Sequence, residues 1–85
     1  MRQPLGEPVE VEARFPPERA YPVPRWVRWR GQREPVEAVH LVHERWEAGA
    51  RSLIYALTVG GRWVELRFDP HRARWYLDAV HSEEP

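Results

Sequence analysis

The sequence contains no cysteine, no lysine and no asparagine. Without cysteine, disulfides, thiolate catalysis and cysteine–zinc sites are excluded. Without lysine, all 13 basic residues are Arg. Abundant Arg, Pro, Ala, Val and Trp beside absent Lys and Asn is what G+C-rich codons produce. The lack of Asn and Cys would also suit a hot environment, but hyperthermophile proteins usually enrich Lys, so codon bias is the simpler explanation. Long apolar runs are missing too. None approaches the ~18 residues of a membrane span, and Met1-Arg2-Gln3-Pro4 has no signal-peptide core. A cytoplasmic location with no membrane partner is therefore expected. Hydroxyl residues are scarce: besides tyrosine there are only Ser52, Thr58 and Ser82, none in a glycine-bracketed elbow. No glycine loop is placed to cradle phosphate. An enzyme is not expected, nor is a cofactor. Excess charge is absent as well, since 13 acids balance 13 arginines. A protein built on bulk attraction to nucleic acid is normally visibly basic, so such binding would need a local patch.

What the chain does have is tryptophan. All 5 follow an arginine: Arg25-Trp26, Arg28-Trp29, Arg45-Trp46, Arg62-Trp63 and Arg74-Trp75. In a β-strand neighbouring side chains point to opposite faces, so each step sets a ring on one face and a charge on the other. With 85 residues there is room for one domain. A chain this short buries only about 60% of its unfolded surface. Aromatic side chains, burying roughly 150–250 Å² each, make the small core dense.

Residues 1–8, with Pro4, Gly6 and Pro8, read as a flexible lead-in, and the single β domain as residues 9–81. Val9, Val11, Ala13 and Phe15 alternate with Glu10, Glu12 and Arg14, the pattern of a half-buried strand. Pro16-Pro17 stop it. Residues 16–24 carry four prolines (Pro16, Pro17, Pro22, Pro24) and read as a stiff extended crossover. A ligand for a proline-binding module is the other reading of that stretch. Arg25 to Arg30 is a second strand, with Val27 and Trp29 on one face and Trp26, Arg28 and Arg30 on the other. Residues 35–47 are open between a helix and a bulged strand. Pro35 suits a first helical turn, and Val36, Val39, His40, His43 and Trp46 fall near helical spacing. Three valines favour a strand whose alternation breaks between Val36 and Val39. In an otherwise all-β fold a lone helix has little to pack on, so the strand is preferred.

The C-terminal half is clearest. Gly60-Gly61 between two apolar-rich runs predicts a tight hairpin. Its register opposes Val59 to Arg62, Thr58 to Trp63, Leu57 to Val64, Tyr55 to Leu66 and Leu53 to Phe68. Opposed residues share a face, so Leu53, Tyr55, Leu57, Val59, Val64, Leu66 and Phe68 form core. Asp69-Pro70-His71-Arg72 reads as a four-residue turn that places Trp75 opposite Leu66 and Leu77 opposite Val64. Residues 82–85 form an acidic tail. The expected fold is all-β: one antiparallel meander making a strongly curved sheet or SH3-like barrel, with a meander carrying one helix at 35–47 as the alternative.

The opposite face carries the candidate site: Trp63, Arg67, Arg74 and Tyr76. If strand 25–30 lies in the same curved sheet, Trp26, Arg28 and Arg30 join them. Three readings are open. Arginines lying across aromatic rings can be simple intramolecular shielding. The same composition is that of a protein–protein hot spot, through a partner or self-association. Rings interleaved with guanidinium groups also suit single-stranded nucleic acid, by base stacking and phosphate contact. Neutral net charge ranks nucleic acid behind protein. His40 and His43 could share a metal on a helix, but on a strand they point apart, so no metal is expected.

Arg28-Trp29-Arg30-Gly31, Val36 and Val39, Arg45-Trp46, Val64-Glu65-Leu66-Arg67-Phe68-Asp69 and Arg74-Trp75-Tyr76-Leu77 follow one another in an order that resembles a small bacterial domain. That domain occurs alone or near the ends of proteins related to ImuB, the Y-family-polymerase-like partner in error-prone DNA repair. The likeness covers roughly residues 24–81. It implies an association with DNA repair and no catalytic residue.

Overall fold

The computed structural model describes residues 1–81, so the acidic tail at 82–85 lies outside the described residues. Six antiparallel strands follow in order: β1 (Arg2–Arg14), β2 (Val23–Trp29), β3 (Gln32–Glu47), β4 (Ala50–Val59), β5 (Arg62–Asp69) and β6 (Arg74–His81). Each pairs with its sequence neighbour, and β1 also pairs with β6, closing a barrel. The all-β expectation holds. The helix alternative at 35–47 falls away, because that span lies inside β3.

The glycine hairpin forms as its sequence predicts. Gly60 and Gly61 both have positive φ (56° and 76°), the geometry of a type I′ turn. A Cβ on Gly60 would collide with the Glu34 carboxylate. All expected pairs from Val59↔Arg62 to Leu53↔Phe68 are present. The alternation break read between Val36 and Val39 is a bulge at Glu37, and a second bulge follows at His40.

Three expectations are corrected. The lead-in is not separate from the domain: Arg2–Val9 pairs with β6, and Glu10–Arg14 with β2. Prolines disguised this strand, but a strand whose second edge is unpaired tolerates them, and Gly6 sits in a bulge with φ 67°. Phe15 is 70% exposed rather than on the buried face, because β1 ends at Arg14 and the Pro16-Pro17 turn intervenes. The β5–β6 loop spans Pro70–Ala73, one residue later than expected, with Asp69 paired to Arg74. Asp69 Oδ1 accepts from the backbone N–H groups of His71 and Arg72 at 3.0 and 3.2 Å and fixes that loop. Trp75 therefore faces Phe68, and Leu77 faces Leu66. A slip of two residues preserves the face, so both remain core.

The core holds Val27, Leu53, Tyr55, Leu57, Val59, Val64, Leu66, Phe68, Trp75, Leu77 and Val80. Trp75 lies 4.5 Å from Phe68 and 5.5 Å from Tyr55, ring centre to ring centre. Val9, Val11, Ala13 and Trp29 pack against this core from its margin.

Candidate functional site

The predicted outward residues do not form one patch. Trp26 and Arg28 lie on β2, and Arg30 is in the turn after it. Trp63 and Arg67 lie on β5, and Arg74 and Tyr76 on β6. Strand β1 runs between β2 and β6, with Glu12 opposite Trp26, Glu10 opposite Arg28 and Pro8 opposite Tyr76. An acidic strip thus separates the two groups.

Most of the arginines are already occupied. Arg28 pairs with Glu10 at 3.2 Å, and Arg30 with Glu7 at 3.1 Å. The indole N–H of Trp29 also donates to Glu7 at 3.0 Å. Trp26 is half-buried beneath Arg33, whose guanidinium sits 3.8 Å above the ring while donating twice to Glu12. Arg67 covers Tyr76 at 4.2 Å and pairs with Asp78 at 2.8 Å. These hydrogen bonds hold the carboxyl groups of Glu7 and Glu12 below the usual range, Glu7 through Trp29 first and Arg30 second, Glu12 through Arg33. A phosphate would have to displace these carboxylates before meeting the guanidinium groups. Of the predicted set, Arg74 alone makes no ion pair or ring contact among the described residues. The side chain covering each ring is never the arginine that precedes it, because that arginine points to the opposite face.

Trp63 is different. It is 50% exposed, and no arginine covers it. Two histidines flank its ring, His40 at 5.4 Å and His81 at 5.7 Å between ring centres. The bulge at His40 turns that ring to the outer face, where its Nε2 lies 2.7 Å from Thr58 Oγ1. His81 Nε2 lies 2.8 Å from Glu65 Oε2, and Arg2 Nε donates to the same oxygen at 2.7 Å. Hydrogen bonding from Arg2 is the main reason the Glu65 carboxyl is held low, against an opposing push from burial. Beside Trp63 lies a recess of about 210 Å³ with Ile54 and Ala56 in its floor and Leu41 and His43 on its far side. Leu41 is 58% exposed, while Ile54 is only 6% exposed.

Leu41, His40, His43 and His81 were not in the predicted set. The missing signal was the bulge, which overturns the expectation that His40 and His43 point apart: one contacts Trp63, and the other lines the recess beside it. Among the described residues no group of three or more His, Cys, Asp or Glu side chains is placed to hold a metal. The Thr58 hydroxyl is engaged by His40, and the recess presents an aromatic ring, aliphatic side chains, imidazoles and the Glu65 carboxylate. No protein-family model, curated protein or solved structure matches this chain.

Proposed function

We propose that the chain is a non-enzymatic interaction module that binds a protein partner through the outer face around Trp63. The observation that carries this reading is the half-exposed Trp63 ring facing exposed Leu41 beside a recess floored by Ile54 and Ala56, whereas Trp26 and Tyr76, the other rings expected on the outer face, are covered by arginine. Protein hot spots are enriched in such aromatic anchors. The resemblance to the ImuB-associated domain is what supports a partner among DNA-repair proteins. The single-stranded nucleic-acid reading is weakened because Arg28, Arg30 and Arg67 are already ion-paired.

An affinity pull-down from the native cell, with and without nuclease, tests this. The expected capture resists nuclease, responds little to added salt, and weakens about thirtyfold with Trp63→Ala, the size of a hot-spot loss. It should change little with Arg74→Ala. A capture that nuclease abolishes, and that weakens with salt and with Arg74→Ala, would establish the nucleic-acid reading instead.

A further inference from the structure

Among the described residues, the two longest unpaired stretches of strand edge lie on β1 and β3. One is the edge of β1 at residues 2–8, bonded to β6 alone. Pro4 and Pro8 remove donors there, and Gly6 bulges the strand, so this edge is blunted. The other is the β2-facing edge of β3. The two strands pair only from Trp26↔Pro35 to Trp29↔Gln32. From Val36 to Glu47, β3 is bonded to β4 alone among the described residues. Pro24, in the facing stretch of β2, has no N–H to offer. This β3 edge carries neither proline nor glycine after Pro35, and beyond its bulges the register Leu41↔Ala56 to Glu47↔Ala50 runs unbroken. Proteins seldom leave a regular edge of that length unprotected, because it templates another strand.

A cavity of about 400 Å³ lies between this edge and the upper half of β2. Val23, Val39, Val42 and the rings of Tyr21 and Tyr55 line it. Val39 is 41% exposed although it pairs with fully buried Leu57, so its outer side opens onto the gap. Arg19 is also part of the lining; its guanidinium makes only a 3.4 Å contact to the Tyr21 hydroxyl among the described residues, and no carboxylate lines the cavity.

We propose that β3 takes up an extended peptide by strand addition. The peptide backbone bonds to the free edge over Leu41–Glu47. One aliphatic or aromatic side chain enters the gap beside Val39 and Tyr21. A carboxylate on the peptide pairs with Arg19, the uncompensated charge at that site. Main-chain bonding supplies affinity in this mode, and the pocket supplies selectivity. The proposal does not rest on Trp63: the gap shares Leu41 and Tyr55 with the recess beside that ring, but Trp63 itself does not line the gap.

The test is selection from a displayed library of random peptides about a dozen residues long, against the full chain. Selected peptides should carry an apolar anchor near an Asp or Glu. A synthetic selected peptide should slow hydrogen exchange at the β3 amides between Leu41 and Glu47. Arg19→Glu and Val39→Lys should each weaken it about tenfold or more, and N-methylation of alternate peptide nitrogens should abolish binding. Trp63→Ala should leave it unchanged, so this proposal and the Trp63 reading can fail separately. Failure to select any peptide would overturn the proposal. So would selected peptides that tolerate N-methylation or depend on Trp63, or a β3 edge already protected by self-association of the free protein.

Discussion

Tyr55 sits at the centre of the barrel with no exposed surface, yet it carries a hydroxyl. A buried hydroxyl without a partner is costly, and here the phenol donates to the backbone carbonyl of Pro22 at 2.5 Å. Burial pushes its pKa well above that of an ordinary tyrosine, so the donor persists at any physiological pH. The bond ties the proline-rich crossover, which makes little regular structure of its own, to the core of β4. Its edge-on contact with Tyr21, 6.2 Å between ring centres, does the same at a second point. Tyr55→Phe keeps the ring but leaves the Pro22 carbonyl unsatisfied. The expected loss is about 1–2 kcal/mol, read as a lower urea midpoint with an unchanged slope. An unchanged midpoint would mean that water reaches Pro22 and replaces the hydroxyl. The arginine–tryptophan steps also resolve at this scale. Trp75 is core, Trp29 is marginal and Trp26 is shielded, whereas Trp63 is open, so one dipeptide serves several environments.

The β-hairpins show what absent asparagine does to an element. Three of the turns take positive φ at both central positions: Arg30-Gly31, Ala48-Gly49 and Gly60-Gly61. Asn-Gly is the favoured pair for this geometry, and the chain has no Asn. Arg30 and Ala48 therefore occupy a region that non-glycine side chains disfavour, at φ 51° and 52°. Ala48→Asn should stabilise the protein by about 0.5–1 kcal/mol, seen as a rise of a few degrees in Tm. A fall would show that the tip of the β3–β4 hairpin does not hold this turn in solution.

Legibility from sequence followed the same turn chemistry. Gly60-Gly61 named its turn directly, so the β4–β5 register could be read pair by pair. The sequence around Asp69-Pro70 marked a turn without marking its first residue, which cost one position. In β1, Pro4, Gly6 and Pro8 concealed a strand, because proline signals a break unless the pairing of its edge is known. The outward placement of Trp63 was legible for the same reason as the hairpin that carries it, whereas Trp46, 63% exposed, lies in the span whose spacing leaves helix and strand open. The histidine neighbours of Trp63 were not legible, since a second bulge in β3, at His40, and a register shift in the β5–β6 pairing decide where His40 and His81 fall.

At the scale of the whole molecule, neutrality comes from pairing across strands rather than from charges spread apart. Glu7, Glu12, Glu44 and Glu65 each accept hydrogen bonds from arginines on other strands or in turns, and each has its pKa lowered. Arg2–Glu65 is the pair that bears most on closure: it joins the start of β1 to β5, while His81 on β6 meets the same carboxylate. A carboxyl whose folded pKa lies below its unfolded value contributes stability above the unfolded value, and that contribution disappears as pH falls through the folded one. Stability should therefore be level from neutral pH down to about pH 5 and then drop as these groups protonate. Glu65→Gln removes the charge whose bonding favours ionisation in the folded state. The variant should be less stable at pH 7, and its stability should fall less steeply below about pH 4.5. Because Arg2 is half-exposed and Glu65 only partly buried, high salt should narrow the difference between the two proteins at neutral pH. Denaturant midpoints of both proteins from pH 3 to pH 7 decide the matter. Parallel acid limbs would mean that Arg2 does not hold Glu65 in solution, and that the barrel closes through backbone pairing of β1 and β6 alone.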